Sequence, residues 1–367
     1  MTRAPVLMMA GGTGGHVYPA LAIARALQNV SQPVVWLGTA NGLEARVVVA
    51  EGLPMEWLSI SGLRGKGALS WMLAPFKLLW ALQQALRVMR RVQPRLVIGM
   101  GGFVSGPGGV AAWLTRTPLV IHEQNAIAGM TNRWLSKVAA RVLQGFPGAF
   151  GADHEHLTVG NPVRDAISRL PDPEQRFAGR SGPLRLLVIG GSLGALALNR
   201  HVAPAIAQLT ADERPIVRHQ AGDATLEQAQ DAYARCGVRA EVTAYIEDMA
   251  AALAWADCVI CRAGALTIAE LTSVGLGAVF VPYPSAVDDH QAVNAQQLVD
   301  ADAAIVLREA DLTAQSLLDA LRALGATRDA LLVRARNARA LRNGNAVTSI
   351  LSVCADVIDD PTLRVNT

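Results

Sequence analysis

Short, unbroken aliphatic runs recur along this chain between helical patterns, and the series starts twice. The first reads VLMMA, PVVWLG, RLVIGM, PLVIHE and ARVLQGF; the second reads RLLVIGG, PIVRHQAG, AEVTAYI, DCVICRAG, GAVFVPYP and AAIVLRE. A strand that is apolar at every position is buried on both faces, as in a parallel sheet flanked by helices. Two such series predict an α/β chain of two Rossmann-like domains whose parallel sheets face a deep cleft. The length of 367 residues is enough for two cores.

Both periodicities lapse at Gly160-Asn161-Pro162-Val163-Arg164 and the following LPDPEQRFAGRSGP, where proline, glycine and charge take over. The reading is an N-terminal domain over 1–163, a C-terminal domain over 164–340 and a terminal segment over 341–367. In that segment Val347, Ile350, Leu351, Cys354 and Ile358 have the spacing of an amphipathic helix. It is expected to pack back on the N-terminal domain.

Composition narrows the class. With 51% hydrophobic and 17% charged residues the chain is not disordered. The run Val6–Ala10 is too short for a secretory signal, so a cytoplasmic location is expected. Cys236, Cys258, Cys261 and Cys354 show no framework spacing and are expected to be buried free thiols. Net charge is +3 but uneven: up to Val163 there are 14 Lys+Arg against 6 Asp+Glu, and beyond it 19 against 24. The basic half is a candidate for an anionic surface.

Glycines follow several strands and precede helices: Gly11-Gly12-Thr13-Gly14-Gly15-His16, Met100–Gly109 and Gly190-Gly191-Ser192-Leu193-Gly194-Ala195. Unpaired N–H groups at such helix starts can bind phosphate, and in open α/β sheets ligands lie beyond the carboxyl ends of strands. No loop has the Gly-Lys-Ser/Thr of a nucleotide-hydrolysing P-loop. Val17 stands where a dinucleotide fingerprint needs its third glycine. His16 opens an apolar-faced helix, where the positive dipole end disfavours imidazolium; it is read as a neutral general base or as a capping residue.

His122-Glu123-Gln124-Asn125 ends the PLVI run, and its polar side chains suit sugar hydroxyls or a loop-holding network. The cluster Asp153-His154-Glu155-His156 reads as solvated surface. In the second half Arg262 could match a pyrophosphate, and Glu270, about two turns into the next helix, could bind ribose hydroxyls or be an ordinary surface residue. Gln291 and Asn294, three apart, share a helix face. Together these features suit a nucleotide sugar.

In this order GGTGGH, GGFVSGPGG, HEQN, GNPVR, GGSLGA, CRAGALTIAE and DDHQAVNA resemble the MurG family, peptidoglycan glycosyltransferases of the glycosyltransferase B fold. The resemblance covers nearly the whole chain. It implies inverting transfer of N-acetylglucosamine from UDP-GlcNAc to the C4 hydroxyl of MurNAc in undecaprenyl-pyrophosphoryl-MurNAc-pentapeptide, lipid I, giving lipid II. Thr13, Gly14 and Gly15 would face the donor sugar and the acceptor pyrophosphate, with His16 as base. Asn125 would touch the transferred sugar, and Arg164 and Ser192 the donor diphosphate. Ile246 would pair with uracil through its backbone. Ala265, Leu266, Thr267, Ile268, Ala269 and Glu270 would wrap diphosphate and ribose, and Gln291 and Asn294 the GlcNAc hydroxyls. Phe103 departs from the tyrosine common in the family, so no role of that hydroxyl carries over.

The expected reaction needs no cofactor and no metal, since no D-x-D motif precedes the donor site and helix N-termini with Arg164 and Arg262 can balance the leaving charge. Two alternatives remain: another UDP-GlcNAc transferase or epimerase, and a non-catalytic nucleotide-sugar binding module in which His16 is dispensable. The acceptor's lipid implies a peripheral place on the cytoplasmic face of the inner membrane. Partners would be an anionic membrane surface and other cell-wall synthesis proteins, and no nucleic acid. The apolar stretch Gly67–Trp80, flanked by Lys66, Lys77, Arg87, Arg90 and Arg91, is too interrupted to span a bilayer. It reads as an interfacial patch or as core.

Overall fold

The computed structural model describes residues 3–60, 73–151, 156–191, 194–284 and 289–364. The chain divides into two compact units, Met1–Val163 with Asn343–Thr367, and Arg164–Arg342. The second crossing thus falls after 342, two residues beyond the position read from sequence.

The first unit is built on a parallel sheet: β1 Val6–Met9, β2 Val34–Gly38, β3 Met55–Trp57, β4 Leu96–Gly99, β5 Leu119–Glu123, β6 Arg141–Gln144 and β7 Leu157–Thr158. Their order is β3-β2-β1-β4-β5-β6-β7. Val6 and Met8 enter one apolar cluster and Leu7 and Met9 another. All four are wholly buried, the both-face burial that an unbroken run requires. The runs read from sequence all form strands, but β3 and β7 had no such run. They are two- and three-residue edge strands with exposed or half-buried side chains, formed by pairing to β2 and β6.

The second unit repeats the plan with β8 Arg185–Ile189, β9 Ile216–Gln220, β10 Ala240–Thr243, β11 Cys258–Cys261, β12 Gly277–Phe280 and β13 Ala304–Val306. These six are parallel in the order β10-β9-β8-β11-β12-β13. In each sheet the order reverses between two central neighbours, β1 and β4 in one and β8 and β11 in the other. That switch point is where an open α/β sheet binds its ligand. The glycine turns after β1 and β4 therefore stand side by side, as do those after β8 and β11.

The terminal helix Ala346–Val357 returns to the first unit. Its Ile350, Leu351 and Cys354 are wholly buried in one cluster with Val17, Leu21 and Ala24 of the helix Gly14–Asn29. Thus the last helix braces the one that begins at the first glycine turn. All four cysteines are free, and Cys258, Cys261 and Cys354 are buried. Burial pushes the Cys258 and Cys354 thiols up to about 12, which keeps them protonated and unreactive.

Candidate functional site

In the first glycine turn Thr13 is the N-cap of the helix Gly14–Asn29, and Gly14, Gly15 and His16 form its first turn. The N–H groups of Gly14 and Gly15 have no acceptor among the described residues, so they remain donors for a ligand. The earlier part of the turn is different. Beneath it lies the carboxylate of Glu44, fully buried, with Oε2 accepting from Gly12 N–H at 3.0 Å. Its Oε1 accepts from the N–H and hydroxyl of Thr39 at 2.9 and 2.7 Å. A Cβ on Gly11 would meet Glu44 Oε1 at 2.7 Å, which explains the glycine there. An internal anion thus already occupies the underside of Gly11–Gly12, and only the Gly14–Gly15 end can cradle a phosphate.

His16 is half-buried, and its Nδ1 lies 2.8 Å from Gln124 Oε1. Gln124 Nε2 lies 3.1 Å from His122 Nδ1, and His122 Nε2 is 2.8 Å from the carbonyl of Gly160. Burial pushes the His122 imidazole down to about 4, against weaker opposing effects of the Gly160 hydrogen bond and Glu123, so it is neutral at physiological pH. Glu123 is only 3% exposed. Its carboxylate accepts from Asn125 N and Nδ2, Gly129 N and Asn132 Nδ2 at 2.9 to 3.1 Å. The four polar residues at the end of β5 and just beyond it thus all enter the loop-holding network, with Asn125 at its half-buried end.

The glycine turn after β4, Met100–Gly109, was expected to border phosphate, but its first glycines serve contact with the first turn. Gly101 has φ +99, and a Cβ there would lie 2.6 Å from His16 Nδ1. Gly102 has φ +85, and its Cβ would collide with the carbonyl oxygen of Gly11. Only glycine lets β4's turn pass this close to the histidine. Phe103, next in line, is 52% exposed.

In the second unit the helix Ala265–Val274 follows β11 with Gly264 as N-cap. The N–H groups of Ala265, Leu266 and Thr267 have no acceptor among the described residues, forming an anion-compatible helix start. Ala265 and Ile268 are buried and anchor the turn, while Leu266, Thr267 and Ala269 are half-buried. Glu270 is 8% exposed and pairs with Arg164, whose Nε and Nη2 donate to Oε1 at 3.0 and 2.7 Å. Burial pushes the Glu270 carboxyl up, and Arg164 pulls it back toward ionisation. These residues were expected to meet different parts of a donor, so their pairing is new, and it joins the linker to the helix. Ile246 lies in the loop after β10 with its backbone N–H and C=O unpaired among the described residues, as base-edge recognition needs.

Two second-unit residues sit differently from expectation. Arg262 Nη1 donates to the carbonyls of Val281 and Pro282 at 3.0 and 3.2 Å and pairs with Glu309 at 2.5 Å. It braces the end of β12 instead of standing open to a diphosphate. Asn294 is wholly buried, its Nδ2 donating to Ala263 O at 3.3 Å, so it supports the turn before Gly264. Gln291, half-buried, accepts from Tyr283 N–H at 2.9 Å. Ser192 lies outside the described residues, as do Asp153, His154 and Glu155. Sequence reasoning missed Glu44 and the connecting role of Gln124. The available signal for Glu44 was an acid in the first turn of the helix Leu43–Ala50, directly after β2.

The helix Ala74–Val92 carries two apolar faces. Ala81, Ala85, Val88 and Met89 are buried, whereas Phe76, Leu78, Leu79 and Trp80 are exposed, Phe76 by 70%. The Arg87 guanidinium lies 5.6 Å from the Trp80 ring centroid. Trp71 and Lys66, read as part of the same patch, lie outside the described residues. No helix of the described residues is long and apolar enough to cross a membrane.

Comparison with known proteins agrees with this layout. Residues 6–144 match the glycosyltransferase family 28 N-terminal domain and residues 185–351 the glycosyltransferase family 28 C-terminal domain. A UDP-N-acetylglucosamine–N-acetylmuramyl-(pentapeptide) pyrophosphoryl-undecaprenol N-acetylglucosamine transferase of Alkalilimnicola ehrlichii is 57% identical, covering 96% of this chain and 98% of its own length. The protein of the same name from Marinobacter nauticus is 52% identical, covering 97% of this chain and 99% of its own. The crystal structure of Acinetobacter baumannii MurG superposes with a TM-score of 0.83 at 40% identity, covering 96% of this chain and all (100%) of that one. With its paired Rossmann-like units of the glycosyltransferase B type, the chain belongs to glycosyltransferase family 28 and, within it, to the MurG family of N-acetylglucosamine transferases.

Proposed function

We propose that this chain transfers N-acetylglucosamine from UDP-GlcNAc to the C4 hydroxyl of MurNAc in undecaprenyl-pyrophosphoryl-MurNAc-pentapeptide, with inversion, converting lipid I to lipid II. The observation that carries the mechanism is His16, hydrogen-bonded through Nδ1 and with no partner at Nε2 among the described residues. Nε2 takes the proton of the acceptor hydroxyl as its oxygen attacks the anomeric carbon, while the bond to UDP breaks on the opposite face. One displacement at one carbon gives inversion. Gly14 and Gly15 N–H groups bind the acceptor pyrophosphate, with Thr13 beside them and Asn125 on the transferred sugar.

The donor belongs to the second unit. Ala265, Leu266 and Thr267 N–H groups receive the diphosphate, and the helix dipole balances the charge that develops on the leaving UDP. Glu270 accepts from the ribose hydroxyls, Arg164 keeps its carboxylate ionised, and Ile246 pairs with the uracil edge through its backbone. Gln291 contacts the GlcNAc hydroxyls, while Asn294 holds the turn before Gly264 through the Ala263 carbonyl.

The lipid-linked acceptor calls for a membrane surface, and we assign that contact to Phe76, Leu79 and Trp80 with Lys77 and Arg87 beside them and Arg90 further along the same helix, Arg91 being paired with Glu56. Exposed aromatics with cations on the same helix favour an anionic interface on the cytoplasmic side. The deciding experiment is a transfer assay with UDP-GlcNAc and a soluble-chain lipid I analogue, run on the wild-type chain and His16→Ala. No product from the wild type would overturn the reaction, and full activity in His16→Ala would overturn the base role. Salt-sensitive binding to anionic vesicles, lost on combined substitution of Phe76 and Trp80, tests the membrane contact; unchanged binding refutes it.

A further inference from the structure

We infer that Gln124 and His122 are positioning residues that fix His16 as the tautomer protonated at Nδ1, so that Nε2 always presents a lone pair to the acceptor hydroxyl. The inference rests on the reading of His16 as general base. It follows from donor and acceptor complementarity and the burial of His122, started from the one end that has no freedom.

The Gly160 carbonyl can only accept, so His122 Nε2, 2.8 Å away, carries the proton. The ring is wholly buried and neutral, so His122 Nδ1 is a bare acceptor. Gln124 must therefore turn its NH2 toward His122, where Nε2 lies 3.1 Å from Nδ1 and donates to the His122 carbonyl at 3.2 Å. A carboxamide is planar and two-ended, so its oxygen then faces the other way, 2.8 Å from His16 Nδ1. That oxygen cannot donate, so His16 Nδ1 holds the hydrogen. Flipping Gln124 would set two lone pairs against each other at one end and remove an acceptor at the other. At 2% exposure no solvent repairs such a flip. Asn161 Nδ2, donating to the Gln124 carbonyl at 2.9 Å, holds the backbone of the relay.

A neutral carboxamide oxygen is sufficient to hold this tautomer. It orients the ring without adding a charge, and it goes on accepting from Nδ1–H after Nε2 takes up a proton, when that bond becomes charge-assisted and stronger. The relay therefore needs no rearrangement during transfer. In serine proteases a wrong imidazole tautomer lowers kcat by about 10⁴. Removing the relay imposes no tautomer, so a smaller loss is expected, about 10- to 100-fold.

The first test is ¹⁵N NMR of histidine-labelled full-length protein, with the His16 signals assigned by comparison with His16→Ala. A pyrrole-type Nδ1 and a pyridine-type Nε2 are expected at a pH where the ring is neutral. An Nε2–H tautomer or an averaged pair overturns the inference. The second is kinetic: Gln124→Leu lowers kcat with the KM for UDP-GlcNAc unchanged, and adds nothing in the His16→Ala background. Equal losses in both backgrounds overturn the relay. Full activity of His16→Ala would instead refute the base role, while the NMR tautomer still decides the relay on the native chain.

Discussion

Replacing Gly101 by alanine isolates what the close approach of β4's turn to His16 contributes, because Gly151 provides a matched control. Both glycines have φ +99, but a Cβ on Gly151 meets nothing within 4 Å, whereas on Gly101 it lies 2.6 Å from His16 Nδ1 and 2.8 Å from Cε1. The backbone strain of alanine at such a φ is common to both, about 1–2 kcal/mol. Ordinary carbon contacts lie near 3.5–4.0 Å, so in Gly101→Ala the imidazole must retreat by about 1 Å. That movement disrupts its 2.8 Å hydrogen bond to Gln124, adding about 1 kcal/mol. A displacement of about 1 Å in a catalytic group lowers rate by about 10²-fold. Urea unfolding should therefore show a loss of about 2–3 kcal/mol for Gly101→Ala and about 1–2 for Gly151→Ala. In the transfer assay only Gly101→Ala should lose kcat, with UDP affinity unchanged, since the proposed donor contacts belong to the other unit. Equal kcat in the two variants would refute the claim that Gly101 is glycine for the sake of His16.

Glu44→Gln turns an amide NH2 toward either Gly12 N–H or Thr39 N–H and loses at least one charge-assisted bond. Denaturation should report about 2 kcal/mol less stability, with a lower kcat as the turn loosens, and an unchanged midpoint would contradict it. Arg164→Met removes the cation that opposes the upward push of burial on Glu270, so the carboxyl moves further up. UDP affinity should fall about tenfold at acid to neutral pH and recover as pH rises; calorimetry showing a pH-independent, wild-type Kd would refute this. Burial holds His122 and His219 down at about 4 from an ordinary 6.5, so on acidification the unfolded chain protonates first. Their contribution is complete above pH 6.5 and lost between 6.5 and 4, roughly 3 kcal/mol for each, and a flat stability profile over that range would exclude it. Exhaustive chelation should leave transfer activity intact, and an absolute requirement for a divalent ion would rule out the charge-balancing role given to the helix N-termini.

The strands that carry the site were legible because burial on both faces leaves an unbroken apolar signature. Edge strands β3 and β7 were not, since their pairing comes from neighbours rather than from their own side chains. His16, the glycines and the helix start at Ala265 were legible for a similar reason: glycine and N-terminal position are local properties. Arg262 and Asn294 look like ligand groups in the sequence, yet one braces β12 and the other is sealed beneath Ala263. A charged or amide side chain carries no local mark of which way it will point.

By itself, then, the sequence determined the two parallel sheets and the glycine turns at helix starts. All of these follow from periodicity and backbone freedom within a few residues. Only the tertiary structure decided that two of those turns interlock over His16, that Glu44 fills the underside of the first, and that Gln124 and His122 set the proton on the imidazole. These depend on residues separated by 32 to 108 positions, brought together by strand order. Hydrogen-bond complementarity acts at about 3 Å and has no period along the chain.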